Sequence, residues 1–311
     1  MKVLVIGGAG FIGSHLCDAL LEDGNRVACV DNFSLGTRKN ISHLEGSSRF
    51  KIYDIDASEL SELDNVFVEE RPDYVFHLAA NSDIQASSVR PEVEYRNTYT
   101  TTFQILSCMR EYEVKRLFFA STSAVYGDKK DVLLDENTAG LSPISYYGAA
   151  KLGSEALISA FSYMNEMEAL VFRFPNVIGP RLTHGVIFDF INKLRKDPGH
   201  LEVLGDGRQT KPYIYVTDLV DAIMRFKDTG QRGVALYNVG AKGETSVTRI
   251  ADIVCKEMGL EHVKYNYTGG EGGWKGDVPR FRYCTDKIHA TGWRAKLTSD
   301  EAVRKTVRSN I

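Results

Sequence analysis

Residues 2–13 read KVLVIGGAGFIG, an aliphatic run that passes straight into glycines at positions 7, 8, 10 and 13. A near-continuous apolar run of this kind reads as a strand covered on both faces. The stretch from Phe11 to about Asp23 carries helical periodicity. Gly7, Gly10 and Gly13 therefore stand in G-x-x-G-x-x-G spacing between a strand and a helix. That context demands a tight turn, a backbone that can approach a pyrophosphate without Cβ clashes, and close packing of helix on strand. The helix N-terminus then faces the anion. Gly7, Gly10, Phe11, Ile12 and Gly13 become candidates for holding a dinucleotide.

Working outward, short β-branched runs recur at Arg26–Asp31, Phe50–Asp54, Tyr74–His77, Arg116–Ser121 and Leu170–Phe174, separated by helical stretches. Repeated βα units pair in parallel, which predicts an α/β fold with a doubly wound parallel (Rossmann) sheet. Beyond Phe174 the order changes, with a polar hairpin-like stretch at Leu201–Val216 and a Gly-rich loop at Gly269–Gly276. A smaller α+β substrate-binding domain is expected there. The run Ala235–Val239 reads as a strand returning to the first sheet. The expected division is residues 1–175 plus about 217–240 for the dinucleotide domain, and 176–216 with 241–311 for the second.

The 311 residues suit two domains or one large α/β unit. Apolar residues at 43% and charged residues at 25% exclude disordered, collagen-like and coiled-coil readings. A net charge of −3 without a basic run argues against a nucleic-acid or acidic-membrane surface. No apolar run approaches a membrane span or a secretory leader, so a cytoplasmic protein is expected. Cys17, Cys29, Cys108, Cys255 and Cys284 form no C-x-x-C pair and read as small hydrophobes, and no metal site is expected.

The second strand ends in Asp31-Asn32, where a carboxylate can accept hydrogen bonds from both ribose hydroxyls of an adenosine. An acid there favours NAD over its 2′-phosphorylated form. Asp54-Ile55, ending the third strand, is a candidate adenine contact. Tyr147 and Lys151 lie four apart at the start of a helix and so share a face. An ammonium beside a phenol stabilises the phenolate and makes a proton shuttle. Tyr126/Lys130 and Tyr283/Lys287 have the same spacing, but only Tyr147/Lys151 opens the helix after the fifth strand. Ser121-Thr122-Ser123 sits at the carboxyl end of that strand, where open α/β sheets bind ligands.

With these segments the chain resembles the extended short-chain dehydrogenase/reductase family, among the nucleotide-sugar epimerases and dehydratases. The resemblance rests on GGAGFIG, DN at 31–32, HLAA at 77–80, STSAVYG at 121–127, YYGAAK at 146–151, RFPNVIGPR at 173–181 and GDGRQTKPYIYVTD at 205–218. It implies NAD as cofactor, with Leu78, Ala79 and Ala80 beside it. It further implies Tyr147 as catalytic base, Lys151 on the nicotinamide ribose, and Thr122 bonded to the reacting hydroxyl. Asn176, Arg181 and Val186 fall where relatives meet the nucleotide diphosphate and base, and Ser123 falls beside the sugar. A homodimer through helices near Pro91–Arg110 and Tyr147–Asn165 is also implied.

Dehydratases and decarboxylases of the family carry Asp or Glu where this chain has Ser123 and Ala124. Without those acids, epimerisation at C4 of a nucleotide-diphosphate sugar, of the UDP-glucose/UDP-galactose type, is the expected activity. A dehydratase or decarboxylase, a 4-keto-sugar reductase exchanging its cofactor, and a non-catalytic NAD-binding protein remain alternatives. Three positions depart from the UDP-galactose 4-epimerase branch. Lys211 and Trp274 replace arginines, and Ser82 replaces a lysine. Lysine supplies charge without a bidentate fork.

Overall fold

The computed structural model describes residues 1–81, 84–230, 232–270 and 276–311, with only the backbone at Gln85 and Ala86. Ser82 and residues 271–275 of the Gly-rich loop, Trp274 among them, lie outside the described residues. Two compact units emerge. The first comprises Met1–Val125, Ser145–Arg173 and Val220–Tyr237, and the second Tyr126–Ile144, Phe174–Leu219 and Asn238–Ile311.

The first unit is built on the strands β1 (Lys2–Ile6), β2 (Arg26–Asp31), β3 (Phe50–Asp54), β4 (Tyr74–His77), β5 (Arg116–Thr122), β6 (Glu168–Phe174) and β7 (Gly233–Asn238). Their order in the sheet is β7-β6-β5-β4-β1-β2-β3, and the pairs from β3 through β5 run parallel. This is the doubly wound arrangement expected from the sequence, with strand order reversing between β1 and β4. Its helices are α1 (Phe11–Glu22), α2 (Leu60–Glu70), α3 (Thr101–Glu111) and α4 (Tyr146–Met164).

Period-two alternation assigns each strand residue to a face. Leu4, Ile6, Val75, Leu117, Phe119 and Val171 pack with Leu63, Phe67, Ile105, Met109 and Ile158 of α2, α3 and α4. On the opposite parity an aromatic row crosses the strands. Tyr74 stacks on Phe76 at 4.3 Å, Phe118 meets Phe172 edge-on at 5.4 Å, and Phe172 meets Phe226 at 6.0 Å. The helical run ahead of α3 is not uniform: Tyr95–Thr100 is a π-helical turn, an expanded form that often marks functional positions.

The second unit corrects the sequence reading twice. The stretch Leu201–Val216 is no hairpin. His200–Val203 pairs in parallel with Lys264–Tyr267, Thr210–Lys211 pairs antiparallel with Thr245–Ser246, and Tyr213–Tyr215 pairs in parallel with Asn176–Ile178. The turn residues Gly205, Asp206 and Gly207 bend the chain, but each strand finds a distant partner. Residues 126–144 also leave the first unit. Leu133–Leu134 pairs with Arg282–Tyr283, and the Tyr126 hydroxyl donates to Asn238 Oδ1 at 2.8 Å, which ties the segment to the later chain. The core here joins Ile187, Phe190 and Leu194 to Ile250, Val254, Val303 and Val307. Among the described residues no helix is long and apolar enough to cross a membrane.

Candidate active site

The glycine turn joins β1 to α1, and its geometry explains each glycine. Gly7 has φ +85°, and a Cβ there would come within 2.6 Å of the Ala79 amide nitrogen. A Cβ on Gly13 would lie 2.1 Å from the Gly7 carbonyl oxygen. The turn is therefore pressed against HLAA, where Leu78 and Ala79 both donate their amides to the Ile6 carbonyl at 2.8 Å. Gly10 caps α1 and brings no side chain to its first amides, Phe11 and Ile12 among them. A helix start of this kind favours an anion, so these residues fit a pyrophosphate-bearing dinucleotide. Gly13→Ala is expected to cost at least about 2 kcal/mol of stability through overpacking and to abolish cofactor retention. Thermal unfolding and calorimetric NAD binding check it.

Asp31 is buried, and its carboxylate accepts from the Ala9 and Phe33 amides, both at 2.9 Å. Burial raises its pKa, while these amide bonds pull the other way. The side chain thus ties the glycine turn to the loop after β2, a structural role that its sequence position did not disclose. A carboxylate offers about four acceptor sites, so room remains for ribose hydroxyls. Asn32 is exposed and accepts from the Ser34 amide at 3.1 Å. Asp54 is engaged by Arg38 at 2.8 Å, whose guanidinium also lies 4.6 Å from the Phe33 ring centre. Ile55 beside it is half-buried.

Tyr147 and Lys151 share one face of α4, whose start is capped by the Ser145 hydroxyl accepting from the Gly148 amide at 3.1 Å. The Lys151 Nζ lies 6.0 Å from the Tyr147 ring centre and 4.5 Å from that of Phe119, and donates to the Ala120 carbonyl at 2.6 Å. Tyr147 is half-buried, with its hydroxyl near the Thr122 side chain. Thr122 accepts from the Ala124 amide at 3.1 Å, and Ser123 follows, half-buried. The structure thus brings Thr122, Ser123, Tyr147 and Lys151 together at the carboxyl end of β5.

The electrostatics depart from the sequence expectation that lysine lowers the phenol. Burial, then the Glu94 charge, raise the Tyr147 pKa, and only the Thr122 side chain acts downward. Burial lowers Lys151 to about 7, against the raising charges of Glu94 and Glu155. Desolvation is the largest cause at both groups. His77 is fully buried, bonded through Nε2 to Thr102 Oγ1 at 2.9 Å, and held neutral by burial and by Lys151.

Sequence reasoning missed the charged groups that support this pair. Glu155, one turn beyond Lys151, forms a buried ion pair with Arg173, with Nε to Oε1 at 3.0 Å and Nη2 to Oε2 at 2.6 Å. The Ser121 hydroxyl donates to the same Oε1 at 2.5 Å. The four-residue step from Lys151 to Glu155 was the available signal. Tyr126 is fully buried core.

In the second unit, Asn176 is exposed on the strand Asn176–Ile178, which pairs with Tyr213–Tyr215. Arg181 is half-buried at φ +68°, and Val186 opens the helix Val186–Lys196. Lys211, half-buried, is ion-paired with Asp277. Among the described residues no cluster of three potential metal ligands exists.

Residues 3–240 match the family described as NAD dependent epimerase/dehydratase. A solved UDP-galactose 4-epimerase is 36% identical, with TM-score 0.87 over 100% of this chain and 98% of its own. The UDP-glucose 4-epimerase of Thermus thermophilus, solved in complex with NAD, is 30% identical with TM-score 0.88 over 99% and 98%. Human dTDP-D-glucose 4,6-dehydratase is 29% identical over 98% of this chain and 89% of its own. The chain belongs to the NAD-dependent epimerase/dehydratase family.

Proposed function

We infer that this protein epimerises a nucleotide-diphosphate sugar at C4, of the UDP-glucose/UDP-galactose type. The observation that carries the reading is the Thr122–Tyr147–Lys151 grouping at the end of β5 with no carboxylate at positions 123 and 124. Dehydration at C5–C6 needs an acid and a base there, whereas epimerisation needs one proton acceptor at O4. NAD, when bound, would supply reversible hydride transfer at C4.

The protein's own groups do the rest. Gly7, Gly10, Phe11, Ile12 and Gly13 hold the pyrophosphate, with Leu78, Ala79 and Ala80 beside it. Asp31 and Asn32 take the adenosine ribose, and Asp54 and Ile55 the adenine. Lys151 binds the nicotinamide ribose. Thr122 and Ser123 hold the sugar hydroxyl, and Tyr147 Oη, as the phenolate, takes the O4 proton and gives it back. Asn176, Arg181, Val186 and Lys211 are assigned to the nucleotide diphosphate. The exposed Tyr95, Phe103, Tyr163 and Met164 on the outer faces of the helices support pairing of two copies.

Proton NMR of the purified protein with UDP-glucose, UDP-N-acetylglucosamine and UDP-glucuronate, without added cofactor, tests the reading. A C4 epimer is the expected product. Sugars that change only in step with added NAD or NADH would show a redox enzyme instead.

A further inference from the structure

Glu94 is a buried carboxylate that neither the motifs nor the reaction accounts for. It is 1% exposed, directly ahead of the π-helical turn. Its Oε1 accepts from Asn81 Nδ2 at 2.8 Å and its Oε2 from Thr98 Oγ1 at 2.9 Å. Such a charge is costly to bury without a cation in reach. From Thr98 a hydrogen-bonded chain runs to α4. The Thr98 carbonyl accepts from Thr102 Oγ1 at 2.7 Å, and that oxygen lies 3.0 Å from Ser154 Oγ, one turn beyond Lys151. The packing is close enough that a Cβ on Gly153 of α4 would come within 2.9 Å of the Tyr99 ring.

The groups facing Lys151 leave Glu94 a specific part. β5 presents the Ala120 carbonyl and the Phe119 ring, and β4 presents a neutral His77. On α4 itself stand Tyr147 and Glu155, but the Glu155 charge is already matched by Arg173. Among the described residues, Glu94 stands at the far end of the hydrogen-bonded chain that reaches α4. We propose that Glu94 is a positioning residue, the counter-charge that holds Lys151 as an ammonium. Its catalytic consequence rests on the function inferred above.

The test titrates Lys151 in the whole chain without substrate or cofactor. Protein labelled with 13Cε-lysine is followed against pH by NMR, and the Lys151 signal is assigned by its loss in Lys151→Arg. In the parent the midpoint is expected near 7. Removing an anion from beside an ammonium weakens its hold on the proton, so in Glu94→Gln the midpoint falls, by about one pH unit. Thr98→Val, which deletes a hydrogen bond and keeps the charge, moves it far less. Should Glu94→Gln fail to fold, the 13Cδ signal of Glu94 in the parent must show an inflection at the Lys151 midpoint. An unmoved midpoint, or no such inflection, overturns the proposal. If the midpoint moves but no nucleotide sugar is turned over, the functional reading falls and the counter-charge assignment stands.

Discussion

Tyr147→Phe is expected to remove C4 epimerisation almost completely, by about 10³-fold or more, while leaving the fold and cofactor binding intact. A positioned proton acceptor contributes about 10²–10⁴-fold, and phenylalanine keeps the ring but loses the only atom that can hold the O4 proton. The hydroxyl lies near the Thr122 side chain and phenylalanine keeps the packed ring, so its loss costs little stability. The change should appear in turnover and not in substrate affinity, which marks a group acting on the reacting atoms. NMR detection of the epimer, with thermal unfolding as control, measures both. More than a tenth of parental activity would refute the assignment of Tyr147.

Glu155→Leu is expected to be the most damaging single change to the first unit. Arg173 is buried, and its guanidinium is held by Glu155 in a two-point pair inside the structure. Breaking a buried pair on one side leaves a charge without a counter-ion and costs about 3–5 kcal/mol. At roughly 2–4 °C per kcal/mol for chains of this size, the melting temperature falls by on the order of 10 °C. The Ser121 hydroxyl also loses its acceptor. Combining Glu155→Leu with Arg173→Met should recover much of the loss, because the orphaned charge is then gone. A double variant no more stable than Glu155→Leu would show that packing, and not charge, sets the cost.

These two sites illustrate what the sequence could convey. β1, β2 and β4 were legible to the residue because both faces of the sheet are covered there, so each strand appears as an apolar run between polar turns. The glycine turn was legible because close backbone approach leaves no substitute at Gly7 or Gly13. Leu201–Val216 was misread because the partners of its strands lie at residues 176–178, 245–246 and 264–267, and local pattern carries no record of distant pairing. Glu94, Glu155 and Arg173 look like surface charges in one dimension. Only packing of α3 and α4 on the sheet puts them inside. The same burial reverses the simple argument for Tyr147, whose proton is held more tightly than spacing to Lys151 suggested.

The interleaved chain has a consequence for how the molecule comes into being. The central sheet takes its last edge strand from Gly233–Asn238, and the second unit needs segments from residues 126, 174 and 238 onward. A ribosome that has delivered residues 1–174 has released six sheet strands but not the seventh, and β6 must wait with an open flank. Such an unpaired flank is a template for wrong partners. Synthesis therefore passes through an interval in which a nascent chain of this protein depends on speed, or on a chaperone, to stay single.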